Sequence, residues 1–354
     1  MQTECKPIRS STLETRITRL FGIDHPIICS GMSHIAVPEL VAAVSEAGGL
    51  GILATAPLPP ESTRESIRRV RAITSRPFGI NITMLTAFAS GNVRVALEER
   101  VPVVNLSLGR SQQIADAVHA YGGMIVNTVT TEKHARAAQA AGADALIVTG
   151  HEAAGHGGAA TSLTLVPAVR DAVELPIIAA GGFADGRGLV AALALGADAI
   201  AMGTRFALSL ESPLHAHAKD TAISKSVTDT LYSPNFDGIP CRVMDTRAAR
   251  KRARRAISFI EAVPSALASA AQLGMSLPQI FRMAFVRPAN LVQQVQIGAL
   301  TKSTLLSIRK GDMERGILPI GQVQGLIDEV LSASAIIQRA LNEAEEIQNR
   351  MVSA

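Results

Sequence analysis

The sequence predicts an α/β protein: a parallel (β/α)8 TIM barrel carrying a smaller, mostly helical second domain or cap. Three observations predict it. Eight short apolar runs, each ending in Gly, Ala, Asn, Ser or Thr, recur at about the length of one strand-plus-helix unit, with amphipathic stretches between them. Of the 354 residues, 47% are hydrophobic but only 3% aromatic, with no Trp, so the core must come from Val, Ile, Leu and Ala, the residues of parallel strands buried on both faces. After Phe206 the alternation stops, which marks a second kind of structure.

The candidate strands, in order, are Pro26–Ser30, Leu50–Ala54, Phe78–Thr83, Val101–Ser107, Gly123–Asn127, Ala145–Thr149, Pro176–Ala180 and Ala199–Gly203. Helical stretches lie between them: Val37–Ala47, with Pro at its start and Gly48-Gly49 as a stop, then Glu61–Thr74, Gln112–Ala120, Glu132–Ala141, Leu165–Val173 and Arg187–Leu195. Eight units without a break favour a closed barrel, with an open doubly wound sheet as the structural rival. The predicted organisation is a barrel over 1–227, a helical substrate or cap domain over 228–318, and a C-terminal segment over 319–354. In that last segment one long helix from Gln322 to about Met351 returns to the barrel. A helix is also expected near Ser258–Leu273.

Composition narrows the function classes. A net charge of +4 with so few stacking side chains argues against nucleic acid as the main ligand. Cys5, Cys29 and Cys241 have no CxxC spacing and cannot all pair, which fits a reducing compartment. The first nineteen residues lack a signal-peptide core, and no apolar run approaches a membrane span. The expectation is a soluble, cytoplasmic protein without a membrane partner; the oligomeric state is not set by the sequence.

In a barrel the chemistry sits at the C-terminal ends of the strands. Strand seven ends in Ala180-Gly181-Gly182-Phe183 and strand eight in Met202-Gly203-Thr204-Arg205. Glycines there let backbone N–H groups approach an anion, and the adjoining helix start adds a favourable dipole. The alternative is that they only make tight turns. Strand six runs into Gly150-His151-Glu152-Ala153-Ala154-Gly155-His156-Gly157-Gly158. Its histidines are five apart on a glycine-rich stretch, which does not match the i, i+4 helical zinc motif, so no metal is expected. His156, deeper in the glycine run, is the candidate acid/base group, because an unperturbed imidazole titrates near neutrality. His151 reads better as a structural hydrogen-bonder. Asn81 and Thr83 after strand three and Thr128 after strand five add uncharged polar groups, and Cys29 reads as a small buried apolar residue. A mouth of amides, hydroxyls and glycine with one His suits a cofactor that brings its own chemistry.

Ile80-Asn81, Ala154-Gly155-His156, Ala180-Gly181-Gly182-Phe183-Ala184-Asp185-Gly186, Met202-Gly203-Thr204-Arg205-Phe206 and Gly321-Gln322-Val323 together resemble the nitronate monooxygenase family, formerly 2-nitropropane dioxygenases. So do His25-Pro26-Ile27, Gly31-Met32 and Ala47-Gly48-Gly49-Leu50. The resemblance implies non-covalent FMN, with its phosphate at Gly181-Gly182 and Gly203-Thr204. Gly31, Met32, Asn81 and Gly155 would line the flavin, with Thr128, Ala154, Ala180 and Gln322 among the cofactor contacts. His156 would be the catalytic base. Thr128 stands where some relatives carry Lys, and Ala153 where some carry Cys, which leaves the electron acceptor open. The first functional reading is oxidation of a C–H acid such as an alkyl nitronate with O2. The second is an NAD(P)H-dependent quinone or enoyl-thioester reductase, or an oxidoreductase on a CoA thioester as in steroid-ring breakdown. The third is a flavin-free phosphate-binding barrel enzyme. Nucleotide dehydrogenases of that kind need a Cys in the strand-six loop, and none occurs between Cys29 and Cys241. The basic run Arg247, Arg250, Lys251, Arg252, Arg254 and Arg255 is either a solvated, partly paired surface or a set of contacts for CoA phosphates.

Overall fold

The computed structural model describes residues 13–256, 258–272 and 291–353. Cys5 lies outside them. Eight parallel strands close into a barrel in sequence order: β1 (Ile27–Cys29), β2 (Leu50–Ala54), β3 (Gly79–Thr83), β4 (Val103–Ser107), β5 (Met124–Val129), β6 (Ala145–Thr149), β7 (Ile177–Ala180) and β8 (Ala199–Met202). β1 pairs with β8, so the sheet has no free edge, and the open-sheet alternative is excluded.

Alternate residues of each strand point to opposite sides. One set, including Ile52, Val103, Val126, Ile147, Ile178 and Ala201, fills the barrel; the other packs under the surrounding helices. Those helices start where the sequence supplies a cap. Pro38 and Pro60 sit in the first turns of Pro38–Glu46 and Pro60–Ile73. Ser111 and Thr131 accept the N–H groups of Ile114 and His134 at the starts of Gln112–His119 and Glu132–Ala140. A short helix, Arg16–Phe21, closes the N-terminal end of the barrel with Ile17 and Phe21. Arg16 grips Asp198 there by two bonds of 2.7 and 2.6 Å, and Asp198 also accepts the Ile177 N–H.

Among the described residues the segment after residue 227 is mostly helical and opens on a feature the sequence pattern did not announce: β9 (Thr230–Ser233) and β10 (Cys241–Met244) form an antiparallel hairpin ahead of the helices Arg247–Arg254, Phe259–Gln272 and Leu291–Lys310. The last two pack on each other, with Gly298 set close against Ala266. The final helix does not begin at Gln322. Residues Gln322–Leu326 form one 3-10 turn, Gly325 sits where a side chain would strike Val227, and the helix proper is Ala333–Ser353. Glu211 accepts the Ala333 N–H and fixes that start. Ala333–Ser353 packs between Pro38–Glu46 and Gly186–Ala194, on the side of the barrel where β8 is followed directly only by the four-residue helix Thr204–Ala207. Among the described residues no helix is long and apolar enough to cross a membrane.

Candidate active site

The C-terminal mouth opens into a cavity of about 1310 Å³, lined by every candidate site residue named above except Gln322. Gln322 instead holds the wall by its backbone, donating its N–H to the Glu152 carbonyl at 3.0 Å. Its neighbours Gly321 and Val323 reach the cavity.

The floor is a row of amides and hydroxyls on three adjacent strands. Asn81 and Asn105 are register partners on β3 and β4, and both point inward. Asn81 Nδ2 donates to Asn105 Oδ1 at 2.6 Å, and Asn105 Nδ2 donates to Thr128 Oγ1 at 3.1 Å and to the Val126 carbonyl at 3.2 Å. Ser107 Oγ accepts from Asn81 at 3.2 Å. The sequence motifs do not single out Asn105 or Ser107; a polar residue at an inward position of an apolar strand is the signal for both. Gly31 fits over Asn81 only because it has no side chain: a Cβ would lie 2.5 Å from Asn81 Cβ.

The far wall is the glycine pair after β7. Gly181 and Gly182 have φ of +98° and +85°, and neither spends its N–H on another described residue. Gly203 also keeps a free N–H, and a Cβ there would meet only Met32 Sδ at 3.6 Å. Three unspent amides beside empty space make a cradle for an anion. After β8 a short helix, Thr204–Ala207, does start directly at Gly203 with no side-chain cap, but after β7 the helix-dipole expectation needs correction. At the start of Gly186–Ala194, Asp185 already accepts the Gly188 N–H and Glu343 the Gly186 N–H, so two carboxylates occupy that terminus. Thr204 Oγ1 is likewise engaged, accepting the Gly321 N–H at 2.9 Å.

The near wall is the loop after β6. Gly150 and Gly157 fold it on itself: a Cβ on Gly157 would sit 2.6 Å from the Gly150 carbonyl. His151 donates from Nδ1 to the Gly158 carbonyl at 3.0 Å and sets its ring edge on Tyr232, so it holds the loop. Glu152 accepts the backbone N–H and the hydroxyl of Ser162. His156 projects into the cavity, with Nε2 2.9 Å from Oδ2 of Asp237. Asp237 is 4% exposed in its side chain, His156 29%. Asp237 lies 81 residues away in the turn of the β9–β10 hairpin, a contact no local pattern reveals.

His34, after β1, also lines the cavity, in a left-handed conformation with φ of 64°. Burial and then the Arg309 charge push its imidazole down to about 4, so it is neutral at physiological pH. Burial pushes the Cys29 and Cys241 thiols up, which removes them as nucleophiles. The roof comes from the hairpin turn and the helices beyond it: Ile239, Pro240, Val263, Leu267, Val295 and Leu300, nearly all apolar. No residue of the basic run reaches the cavity; Arg250 pairs with Asp245 and Arg255 with Glu261.

The chain that folds into this barrel, with its glycine cradle, carboxamide floor and cavity-lining His156, matches the nitronate monooxygenase sequence profile, which aligns over residues 14–92 and 84–343. The chain belongs to the nitronate monooxygenase family. Family members similar to it differ in what they are named for. It is 35% identical over 340 residues to (3aS,4S,5R,7aS)-5-hydroxy-7a-methyl-1-oxo-octahydro-1H-indene-4-carboxyl-CoA dehydrogenase of Rhodococcus jostii (strain RHA1), covering 94% of this chain and 96% of that one. It is 30% identical over 280 residues to a probable nitronate monooxygenase of Staphylococcus aureus (strain Newman), covering 66% and 79%. The structure of FabK from Thermotoga maritima superposes with a TM-score of 0.82 at 37% identity, covering 97% of this chain and 99% of that one. This nitronate monooxygenase family member is therefore an oxidoreductase.

Proposed function

We propose that this oxidoreductase uses FMN and acts on a thioester of acyl-CoA type with a bulky apolar body. The observation that carries the substrate class is the roofed cavity. At about 1310 Å³ it exceeds the roughly 300–1,000 Å³ of a single-ligand cleft, and its outer part is apolar. That is room for a cofactor on the glycine floor and a large hydrophobic group above it. The full-length likeness to a CoA-ester dehydrogenase supports the same reading.

The residues present fit FMN. The amides of Gly181, Gly182 and Gly203 would hold its phosphate, and Gly31, Met32, Asn81, Thr128, Ala154, Gly155 and Ala180 would line it. Bound FMN would supply the two-electron chemistry that no side chain here provides. His156, which lines the cavity, would hold the proton lost or gained at the substrate carbon. The apolar roof would exclude water while it does so. The 228–318 segment serves as the cap in this reading.

The second reading, oxidation of a nitronate with O2, is supported by the family profile and the Staphylococcus relative. One screen separates the two. The protein is mixed anaerobically with a series of hydroxyacyl- and enoyl-CoA esters, with and without NADH, and separately with propyl nitronate in an oxygen electrode. Spectral change with an acyl-CoA and little oxygen uptake is the expected result. Fast oxygen uptake with the nitronate and no response to any acyl-CoA would overturn the substrate proposal.

A further inference from the structure

We infer that Asp237 is the positioning residue of the site: its carboxylate holds His156 as the Nε2–H tautomer, leaving Nδ1 as the proton-accepting nitrogen toward the cavity. The inference rests on the proposed role of His156 as acid/base group. An ionised carboxylate only accepts hydrogen bonds, so the partner nitrogen must carry the proton. Oδ2 of Asp237 takes the His156 Nε2–H at 2.9 Å, and Oδ1 takes the backbone N–H of Ile239 at 3.2 Å. Nδ1 of His156 has no hydrogen-bond partner among the described residues.

The hairpin is built to deliver that carboxylate. Gly238, at φ +89°, turns the chain directly after Asp237, and its N–H closes the turn on the Pro234 carbonyl at 2.9 Å. Five residues on, β10 joins the loop beside the imidazole: Arg242 and Gly155 exchange two backbone bonds of 2.9 and 3.1 Å. The Arg242 guanidinium donates to the His151 carbonyl and to Thr230, and Tyr232 donates to the Gly157 carbonyl at 2.7 Å. Both chain segments that carry the pair are thus tied to each other. The other charged groups nearby are engaged elsewhere, Glu152 with Ser162 and Arg242 with His151 and Thr230.

A structural role alone leaves the charge unexplained. Burying a carboxylate costs several kcal/mol unless donors compensate it. An Asn side chain would satisfy the Ile239 N–H equally well. Only a group that must orient a proton-bearing imidazole, and stabilise it when it gains a second proton, needs the anion.

The test is Asp237→Asn in the FMN-loaded protein. Its amide oxygen can keep the Ile239 bond, which presents an NH2 to His156 Nε2 and favours the Nδ1–H tautomer. Three readouts are expected. Long-range 1H–15N spectra, assigned against His156→Gln, show Nε2–H in wild type and a change in the variant. The turnover rate with the substrate found in the screen falls by about 10²–10⁴-fold with KM and flavin content little changed. Adding Asp237→Asn to His156→Gln costs nothing further, since the two act as one unit. An unchanged tautomer, or a rate within a few fold of wild type while His156→Gln is crippled, would overturn the inference. Asp237→Glu, which keeps the charge on a longer arm, should recover part of the rate; recovery equal to that of Asp237→Asn counts against the charge. If the tautomer changes but His156→Gln is silent, Asp237 does set the imidazole and the acid/base role of His156 is what fails.

Discussion

At the N-terminal end of the barrel, Ile17 and Phe21 press against the inward residues of the strands, and Arg16 locks that plug to Asp198. At the C-terminal end the same strands finish in glycines with unspent amides, a carboxamide row and an imidazole facing an open cavity. The strands are continuous between the two ends, so the difference lies in the segments that flank them. One end buries apolar area and gains stability. The other gives up packing for backbone that a ligand can reach, and is covered by a separate hairpin and helices. This division of labour is the one expected of the fold, and it makes the two ends separable by mutation.

The largest effect should come at the open end. His156→Asn should slow flavin reduction by about 10²–10⁴-fold, roughly 3–5 kcal/mol in barrier, with the melting temperature nearly unchanged. The mirror experiment is Phe21→Ala at the closed end, where loss of a fully packed ring costs about 3–5 kcal/mol of stability. Its folded fraction should turn over normally. If either variant moves both readouts equally, the ends are not independent.

The glycine cradle sharpens the contrast within the open end. Gly203→Val should weaken FMN retention while leaving thermal stability of the FMN-free protein intact, because its Cβ meets only Met32 Sδ at ordinary contact distance. Gly181→Ala should lose both, since φ of +98° is strained for any L side chain by about 1–3 kcal/mol. Equal flavin content in both variants and wild type would remove the phosphate from this position.

The smallest effect concerns pH. His34 titrates lower in the folded state than when unfolded, so the unfolded chain binds more protons between the two values. Stability should therefore be complete above about pH 6.5 and fall toward pH 4, by at most about 1.4 kcal/mol per pH unit. His34→Gln should flatten that part of the denaturation profile; an unaltered acid limb would assign it to other groups.

The barrel was legible in the sequence because each parallel strand is a short, continuous apolar run with a turn residue and a helix start behind it; the Arg16–Phe21 plug of the closed end was not read from the sequence. Residues 50–54 and 145–149 match strand bounds without adjustment. The positions of the glycine loops were legible for the same reason: each follows directly on a strand of the barrel, β7 or β8. Asp237 was not. Its role comes from a hairpin of two four-residue strands whose pattern is too short to stand out, and from a partner 81 residues away. The break before Ala333 was hidden too, because it is set by distant partners: Gly325 packs against Val227, Gln324 bonds the Ser226 and Asp229 carbonyls, and Leu331 accepts the Leu210 N–H.

The most direct test of the account is the cofactor itself. Protein purified without added flavin, or incubated with FMN and desalted, is denatured and the released flavin identified and counted against chain concentration. The account predicts FMN at one per chain, with the yellow colour lost in Gly203→Val. A colourless protein that takes up no added FMN would contradict the reading of the open end as a flavin site, whatever the closed end does.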